Sequence, residues 1–566
     1  MIRFFFLCLS LLLPSTVLLA AQGETPPILR LADLMEDAQI PGLAIARIEA
    51  GEVQWSYALG VKDTSSGALV TEQTVFEAAS LSKPVVAYIT LRLAARGVLE
   101  LDAPLWDEQG YERLAHDPRA REITARMVLT HNSGLPNWGG TPLELNNDPG
   151  TTWGYSGEGF VFLATVLERR TGKSLNELAR EEVFEPLGMA SSSFVWTQTY
   201  ERSSASPHDL AGQPTEKRRP DSPNAAASLH TTARDYARFI IAVMDGEGLS
   251  DELGQAMVSR QSDIGGWGDE STWEYLGWTL GWGYQQGDGD PAIWHWGDNG
   301  NFRCFVLAYP SRREALVYFT NTALGLSIAA DVLDLAFDDT HWAVRYLDYY
   351  RWDAPGFQAR KALRRIATGP LGESSLAQVT QILAGLPEDV AGAEAQNVGS
   401  FLVERGQLDL AGGIADWGVD QFGGAAWLEG RADIRTRMND HAGAVADFQA
   451  ALAADPERQE AVAPRLAWLQ DGLISREEVY RPDPEMLDDY IGQFGPRVIR
   501  REGESLIYSR EGASSETPLL ALDEDVFTIE GVHWFRMRFE RDESGDVNGI
   551  TGLYWDGRTD ETLRSE

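Results

Sequence analysis

The sequence predicts an α+β domain, an antiparallel sheet flanked by helices plus a helical subdomain, followed by α-helical repeats and a small β-rich domain. Three observations carry this. Strand patterns stand at 42–60 and again at 291–322, with helical patterns between them, so one sheet is built from distant pieces of chain. A helical self-similarity with a period near 33 runs from 391 to 458. The final stretch then changes to short alternating runs parted by glycine-containing turns.

The elements follow in order. PGLAIARIEA and EVQWSYALG form a hairpin joined through Ala50-Gly51-Glu52. A helix follows with Pro84 just inside its start and apolar residues at Val85, Val86, Ile89, Leu91 and Leu93. ITARMVLTH and GFVFLATVLERRTG are helical, the second stopping at Gly172. PAIWHWG and NFRCFVLAYP flank the turn signal Asp298-Asn299-Gly300, and ALVYFTNT follows Ser311-Arg312-Arg313. A helix is expected from about 325 to 350. Farther on, Gly399, Gly406, Ala411 and Ala415 are answered by Ala432, Ala444, Phe448, Ala451 and Pro456, which resembles a pair of tetratricopeptide repeats. Two repeats bury little core, so they are expected to pack on a neighbouring domain. SLIYSR, VFTIEG, HWFRMRFE and GITGLYW read as a barrel or half-barrel. The expected domains are an export signal at 1–21, a split α+β domain at 22–350, a helical linker at 351–390, repeats at 391–475 and a β-rich domain at 476–566.

Composition narrows the partners. A chain of 566 residues with 43% hydrophobic content is long enough for several packed cores. A net charge of −37 repels nucleic acid and anionic membranes, which excludes both as expected partners. A small-molecule or peptide substrate, and a protein partner on the repeats, remain. Met1-Ile2-Arg3, the apolar run FFFLCLSLLL, the break at Pro14 and the small residues Ala20-Ala21 read as a cleaved signal, hence a periplasmic or secreted protein without a stable membrane span. Removal of Cys8 with that signal leaves Cys304 alone, so no internal disulfide is expected. The 18 tryptophans crowd between Trp267 and Trp296, which suggests an aromatic-lined cleft or a stapled loop.

Ser80-Leu81-Ser82-Lys83 is the chemical centre of the sequence. A serine hydroxyl attacks only when a base takes its proton, and a lysine one helical turn later lies on the same face. With five lysines in the chain, chance supplies about 0.3 such pairs, so the spacing alone is modest evidence. Trp153-Gly154-Tyr155-Ser156-Gly157 precedes a helix, and Tyr155 is a general base or proton shuttle provided Lys83 lowers its pKa. His295-Trp296-Gly297 ends a strand and is expected to wall the cleft, with His295 donating a hydrogen bond. Ser80 and Asp298 offer backbone N–H groups to an oxyanion. Each of these has an ordinary structural reading: an exposed lysine, a packed tyrosine, an edge-strand histidine. Their joint occurrence, in order inside a split domain, is what outweighs those readings.

The segment from about 30 to 345 resembles the serine β-lactamase and penicillin-binding-protein superfamily, on its class C, D-alanyl-D-alanine carboxypeptidase and esterase side. The matching pieces are FEAASLSKP, MVLTHNSGLPNW, WGYSGEGF, PNAAASLHTTARDYARF and WHWGDNGNF. The resemblance implies Ser80 as nucleophile, Lys83 and Tyr155 as proton-handling partners, and His295-Trp296-Gly297 as the third motif, with His131 and Gly134 structural. It implies no cofactor, and the eight histidines show no metal-ligand spacing. Two departures bear on substrate. Gly157 stands where the family usually has Asn, and His295 where it often has Lys. A mostly neutral histidine does not supply the permanent charge that a substrate carboxylate needs. Arg303 on the next strand is a weak substitute. The expectation is therefore an acyl-enzyme hydrolase of esters or D-amino-acid peptides. A β-lactamase or D-Ala-D-Ala carboxypeptidase is the alternative, and an inactive binding or scaffold protein the second alternative.

Overall fold

The structure, a computed structural model, describes residues 26–565 apart from 108, 267, 471–479, 511–515, 533, 543 and 556. The expected signal with Cys8, and also Trp267 and His533, lie outside the described residues. Among the described residues no helix is long and apolar enough to cross a membrane. The chain divides into two compact units, Met1–Phe357 and Gln358–Glu566.

The first unit is organised by one nine-stranded sheet. Its strands are β1 (Gly42–Glu49), β2 (Glu52–Asp63), β3 (Ala68–Leu69), β6 (Ser262–Asp263), β7 (Leu276–Trp278), β8 (Gly283–Gln285), β9 (Ala292–Asp298), β10 (Arg303–Tyr309) and β11 (Glu314–Thr320). The separate strands β4 (Phe76–Ala79) and β5 (Leu229–Thr231) pair with each other. The sheet order is β3-β2-β1-β11-β10-β9-β8-β7-β6, so the two ends of the domain meet where β1 pairs with β11, Leu43 opposite Thr320. β1, β10 and β11 are buried along almost their whole length. That is why they read as continuous apolar runs rather than alternating ones. The turn between β1 and β2 has positive φ at Ala50 and Gly51, the mirror-image geometry that matches strand twist.

Both faces of the sheet are covered. On one lie α2 (Ser82–Ala95), α3 (Gly157–Thr171) and α4 (Ala233–Asp245); on the other lie α1 (Pro27–Ala38) and the segment 325–347. The helix expected over 325–350 is instead a short turn and two short helices, Ala329–Leu333 and Trp342–Leu347. Asp338, Asp339 and Thr340 favour turns, and His341 bonds Asp334 at 2.9 Å across the break. Of the clustered tryptophans, Trp278, Trp282 and Trp294 are core residues, while Trp296 reaches a cleft.

Among the described residues seven helices follow, the first of them beginning just before the second unit: α5 (Pro355–Thr368), α6 (Ser375–Ala384), α7 (Glu388–Glu404), α8 (Leu408–Phe422), α9 (Gly424–Arg437), α10 (His441–Ala454) and α11 (Gln459–Gln470). Residues read from sequence as a linker, Leu363 and Val379 among them, share one core with α7 and α8. The period near 33 corresponds to two helix hairpins, α7–α8 and α9–α10, whose small residues Ala411, Ala432, Ala444 and Ala451 are buried between helices. The chain ends in eight antiparallel strands, from β12 (Gly492–Phe494) through β13 (Arg497–Glu502), β14 (Ser505–Arg510), β15 (Glu516–Asp523), β16 (Val526–Ile529), β17 (Phe535–Arg541) and β18 (Val547–Tyr554) to β19 (Thr559–Leu563). A bridge between Phe494 and Arg564 joins the first strand to the last, and Ser565 N–H donates to Gln493 O at 2.7 Å, closing a barrel. Phe494, Met537 and Phe539 belong to its apolar core. The last helices pack on it: Leu553 and Trp555 of the barrel join Phe448, Val462 and Trp468, and the Arg536 guanidinium lies 3.7 Å over the Trp468 ring.

Phe448 is fully buried at that junction. Phe448→Ala is expected to destabilise the second unit by about 3–5 kcal/mol, the usual cost of an aromatic cavity. Urea denaturation of the full chain checks it, and a shift below about 1 kcal/mol contradicts it.

Candidate active site

Ser80 sits on a strained turn between β4 and α2. Ala79 holds φ +47, a left-handed conformation that alanine rarely adopts, and α2 begins two residues after the serine's predecessor turn at Ser82. Ser82 Oγ donates to Ala79 O at 2.7 Å and accepts from Leu229 N–H at 3.0 Å, tying the turn to β5. From the other side β9 presses against it. A Cβ on Gly297 would stand 2.5 Å from Ala78 O and 2.3 Å from Cys304 Sγ, so only glycine lets the strand lie this close.

Lys83 is the most unusual side chain in the unit. It is completely buried, because α2 is buried on every side from Ser82 to Leu91 and runs through the middle of the core. Its Nζ stands 3.1 Å from Ser80 Oγ and donates to Ala226 O at 3.0 Å, with no carboxylate partner among the described residues. Burial holds the ammonium well below its ordinary value, at about 7. The amine is therefore substantially neutral near neutral pH, and a neutral amine is a base.

Tyr155 departs from expectation. Lys83 Nζ lies 4.7 Å over the face of its ring rather than beside its oxygen. Burial raises the Tyr155 pKa; the Ser80 hydroxyl opposes this and does not overcome it. Among the described residues no partner stands in hydrogen-bond geometry at the buried Oη. The expected lowering by Lys83 does not occur, because a lysine that is itself half neutral lends little charge. Tyr155 is a neutral phenol.

His295 also departs from expectation. It alternates with Trp294 and Trp296 along β9 and points inward, fully buried, with Nδ1 at 2.8 Å from Trp296 O. Burial first, and then the Lys83 charge, depress its pKa to about 3, so the imidazole is neutral. It lies behind Tyr155, ring centroids 6.2 Å apart, and it is Trp296 and Asp298 that face the cleft. His131 is likewise buried, its Nδ1 accepting from Ser156 N–H at 3.0 Å, a structural role.

The backbone of Asp298 is well placed. Asn299 N–H donates to Phe302 O at 3.1 Å, which makes 299 and 302 a hydrogen-bonded pair. The alternation of an antiparallel ladder then turns the Asp298 N–H away from β10, on the edge where β8 has ended. The Asp298 carboxylate is engaged three times, by Tyr349 Oη at 2.7 Å, Gly300 N–H at 2.8 Å and Arg303 Nη2 at 3.1 Å. Below it, Asn299 Nδ2 donates to the buried Glu77 at 2.9 Å and to Ala227 O at 3.2 Å. That clamp joins β4, the 224–228 loop and the β9–β10 turn.

These groups surround a cleft of about 550 Å³ walled by Trp138, Trp153, Tyr155, Trp296 and Tyr349, with Ser80 at its base. The family model described as Beta-lactamase matches residues 30–338, more than half of the 566. The chain belongs to the beta-lactamase family. That family is one of serine hydrolases, and its match spans the whole cleft apart from Tyr349. Among curated relatives, Penicillin-binding protein 4 of Amycolatopsis lactamdurans is 25% identical, over 53% of this chain and 85% of that protein. Esterase EstB of Burkholderia gladioli is 29% identical, over 41% of this chain and 75% of that protein. A Beta-lactamase of Yersinia enterocolitica is 25% identical, over 44% and 67%. A solved class C beta-lactamase aligns with a TM-score of 0.47 at 18% identity, covering 56% of this chain and 96% of that one.

Ser80, Lys83, Tyr155, Trp296 and Asp298 are thus brought together, and His295 is set back from the cleft. Sequence reasoning missed Asn137, Trp138 and Tyr349 as cleft walls, and Glu77 and Asn299 as a clamp. Asn137 and Glu77 stood inside recognised motif segments; nothing in the sequence around Tyr349 marked it.

Gly297→Ala is expected to destabilise the first unit by about 1–3 kcal/mol. Because it displaces the Ser80 turn, it should also slow acylation by on the order of a hundredfold. Denaturation and burst kinetics with a p-nitrophenyl ester measure the two effects; wild-type acylation would refute the close packing of β9 on β4.

Proposed function

We propose that this protein is an exported serine hydrolase that forms an acyl-enzyme on Ser80, acting on uncharged esters or D-amino-acid-containing peptides. The observation that carries the reading is the buried Lys83 amine, without a carboxylate partner among the described residues, at 3.1 Å from Ser80 Oγ. Neutral Lys83 takes the Ser80 proton as Oγ bonds to the substrate carbonyl carbon. The N–H groups of Ser80 and Asp298 receive the oxyanion. As the carbon–oxygen bond to the alcohol breaks, the Lys83 ammonium, 3.1 Å from Ser80 Oγ, returns the proton to the departing oxygen. Water then attacks the acyl carbon as Lys83 accepts its proton, and when the acyl–Oγ bond breaks Lys83 returns that proton to Ser80 Oγ, releasing the acid and restoring the neutral amine. An inactive scaffold has no use for a dehydrated amine held on a serine.

The substrate preference rests on charge. Penicillins and D-Ala-D-Ala ends present a carboxylate, and the cleft offers it no free cation among the described residues. Arg303, the expected substitute, is engaged by Asp298, and its guanidinium stacks 4.8 Å from the Tyr349 ring. His295 is buried and neutral. Aromatic walls suit an apolar acyl or alcohol group. The likeness to an esterase supports the same choice, and the relatives named for penicillin binding and β-lactamase keep the alternative open to test.

Three outcomes follow. Ser80→Ala should abolish turnover and labelling by a fluorophosphonate; turnover at the wild-type rate would sink the assignment. The kcat/KM for a neutral p-nitrophenyl ester should rise with pH through about 7, as Lys83 loses its proton, and then level off. A limb near pH 10 in its place would mean that burial does not hold the Lys83 ammonium near 7. A chromogenic cephalosporin should be turned over at least about a hundredfold less efficiently than that ester, roughly the worth of one charge-assisted contact.

A further inference from the structure

One side chain reaches toward both halves of the catalytic apparatus. Lys83 Nζ is anchored on Ala226 O at 3.0 Å, and the next carbonyl in the chain, Ala227 O, accepts from Asn299 Nδ2 at 3.2 Å. Asn299 directly follows Asp298, whose N–H receives the oxyanion on the proposed mechanism. The anchor of the base therefore lies one residue before the carbonyl that Asn299 holds, and the oxyanion donor one residue before Asn299 itself. Among the described residues no other hydrogen bond joins the 224–228 loop to the turn at 298–302.

The amide is pinned from below as well. Glu77 Oε2 accepts from the same Nδ2 at 2.9 Å. A carboxylate and a carbonyl offer only lone pairs, so the atom facing them is the nitrogen and not Oδ1. Glu77 is 5% exposed and lies on β4, three residues before Ser80. Burial pushes its carboxyl up, and the Asn299 hydrogen bond is the largest influence opposing that. Arg218 stands 4.0 Å from Glu77 and spends its Nη2 on Asn299 O at 2.9 Å. The loop is fixed in its turn: Ala226 N–H donates to Asn224 Oδ1 at 2.9 Å, and Ser228 Oγ to Phe194 O at 2.8 Å.

We propose that Asn299 is a positioning residue: by holding Glu77 and Ala227 O at once it fixes the separation between the Lys83 amine and the Asp298 N–H, and so governs the rate of acylation rather than the binding of the ester. Attack by a hydroxyl needs its base and its oxyanion donors in place together, and an error of about 1 Å in either is worth on the order of a hundredfold. The inference rests on the Ser80 acyl-enzyme reading and adds what keeps the parts of that site in register.

The test uses the full chain and p-nitrophenyl butyrate. Burst rates at rising ester concentration separate the acylation rate constant from the dissociation constant of the ester. Asn299→Ala removes the link; acylation should slow at least about tenfold, with the dissociation constant changed less than about twofold. Asn299→Asp sets a second carboxyl against Glu77, and two carboxyls sharing one site do not ionise together. Above about pH 8 this variant should be as slow as Asn299→Ala. Toward about pH 6 a proton shared by the two carboxyls restores the link, and the ratio of variant to wild-type acylation should climb severalfold. Taking the ratio removes the limb due to Lys83. Of the other groups facing the pair, Arg218 is a guanidinium and always charged, and the Asp298 carboxylate is common to both chains. His230, opposite Glu77 on β5, is held by burial at about 4 and stays neutral. Thermal midpoints at each pH separate the effect from unfolding. Unchanged acylation in Asn299→Ala, a loss carried by the dissociation constant, or a deficit in Asn299→Asp that ignores pH or follows the midpoint overturns the role of Asn299. Wild-type protein that forms no acyl-enzyme overturns the hydrolase reading itself, a failure visible before any variant is made.

Discussion

The structure of the first unit depends on keeping one amine dry. Moving the Lys83 ammonium from water into a core with a single carbonyl partner costs on the order of 5 kcal/mol, judged from its fall from 10.5 to about 7. The sign of that cost with pH is definite. Below about 7 the amine is charged in folded and unfolded chains alike, and the folded state bears the whole penalty. From there toward 10.5 the folded chain has shed a proton that the unfolded chain still holds, so stability rises with pH. A domain tolerates such a charge only where the rest of the core is large and firm. The nine-stranded sheet and the buried first turns of α2 supply that firmness.

The same burial accounts for three features that otherwise look unrelated. The strained Ala79 puts Ser80 where a lysine on the following turn can touch it. Gly297 brings β9 against that turn, which carries the Asp298 N–H toward the serine. Tyr155 and His295 both stay neutral, for the desolvation that neutralises Lys83 also disfavours a phenolate and an imidazolium. On the proposed mechanism the proton therefore starts from an uncharged amine, and stabilising the oxyanion is left to backbone dipoles fixed by the fold.

Much of this was legible in the sequence, and the boundary is instructive. The Ser80–Lys83 spacing, the hairpin at Asp298-Asn299-Gly300 and the meeting of distant strands are local patterns or follow from them. Orientation is not local. His295 stands at a strand end in sequence, but strand alternation sends it inward and gives the cleft Trp296. The Tyr155 pKa depends on whether Lys83 meets its oxygen or its face, a matter of a few ångströms that spacing does not encode. The break in the expected 325–350 helix was written in Asp338-Asp339-Thr340 and outvoted by apolar periodicity around it. Barrel closure rests on one long-range bridge, Phe494 to Arg564, which no window of sequence contains.

Charge acts on substrate choice at two ranges, and the shorter one decides. A net charge of −37 discourages anions from approaching at all. At physiological ionic strength, however, that field decays within about 8 Å of the surface, so it slows encounter more than it weakens a bound complex. Inside the cleft screening is poorer, and an anion would meet the Asp298 carboxylate with its nearest cation, Arg303, already engaged. Freeing Arg303 would cost its contacts with both Asp298 and the Tyr349 ring. An uncharged acyl group incurs neither loss. On the proposed reading, the cleft disfavours carboxylates because Arg303 is held by Asp298 and Arg218 by Asn299 O, and its aromatic walls suit neutral acyl chains.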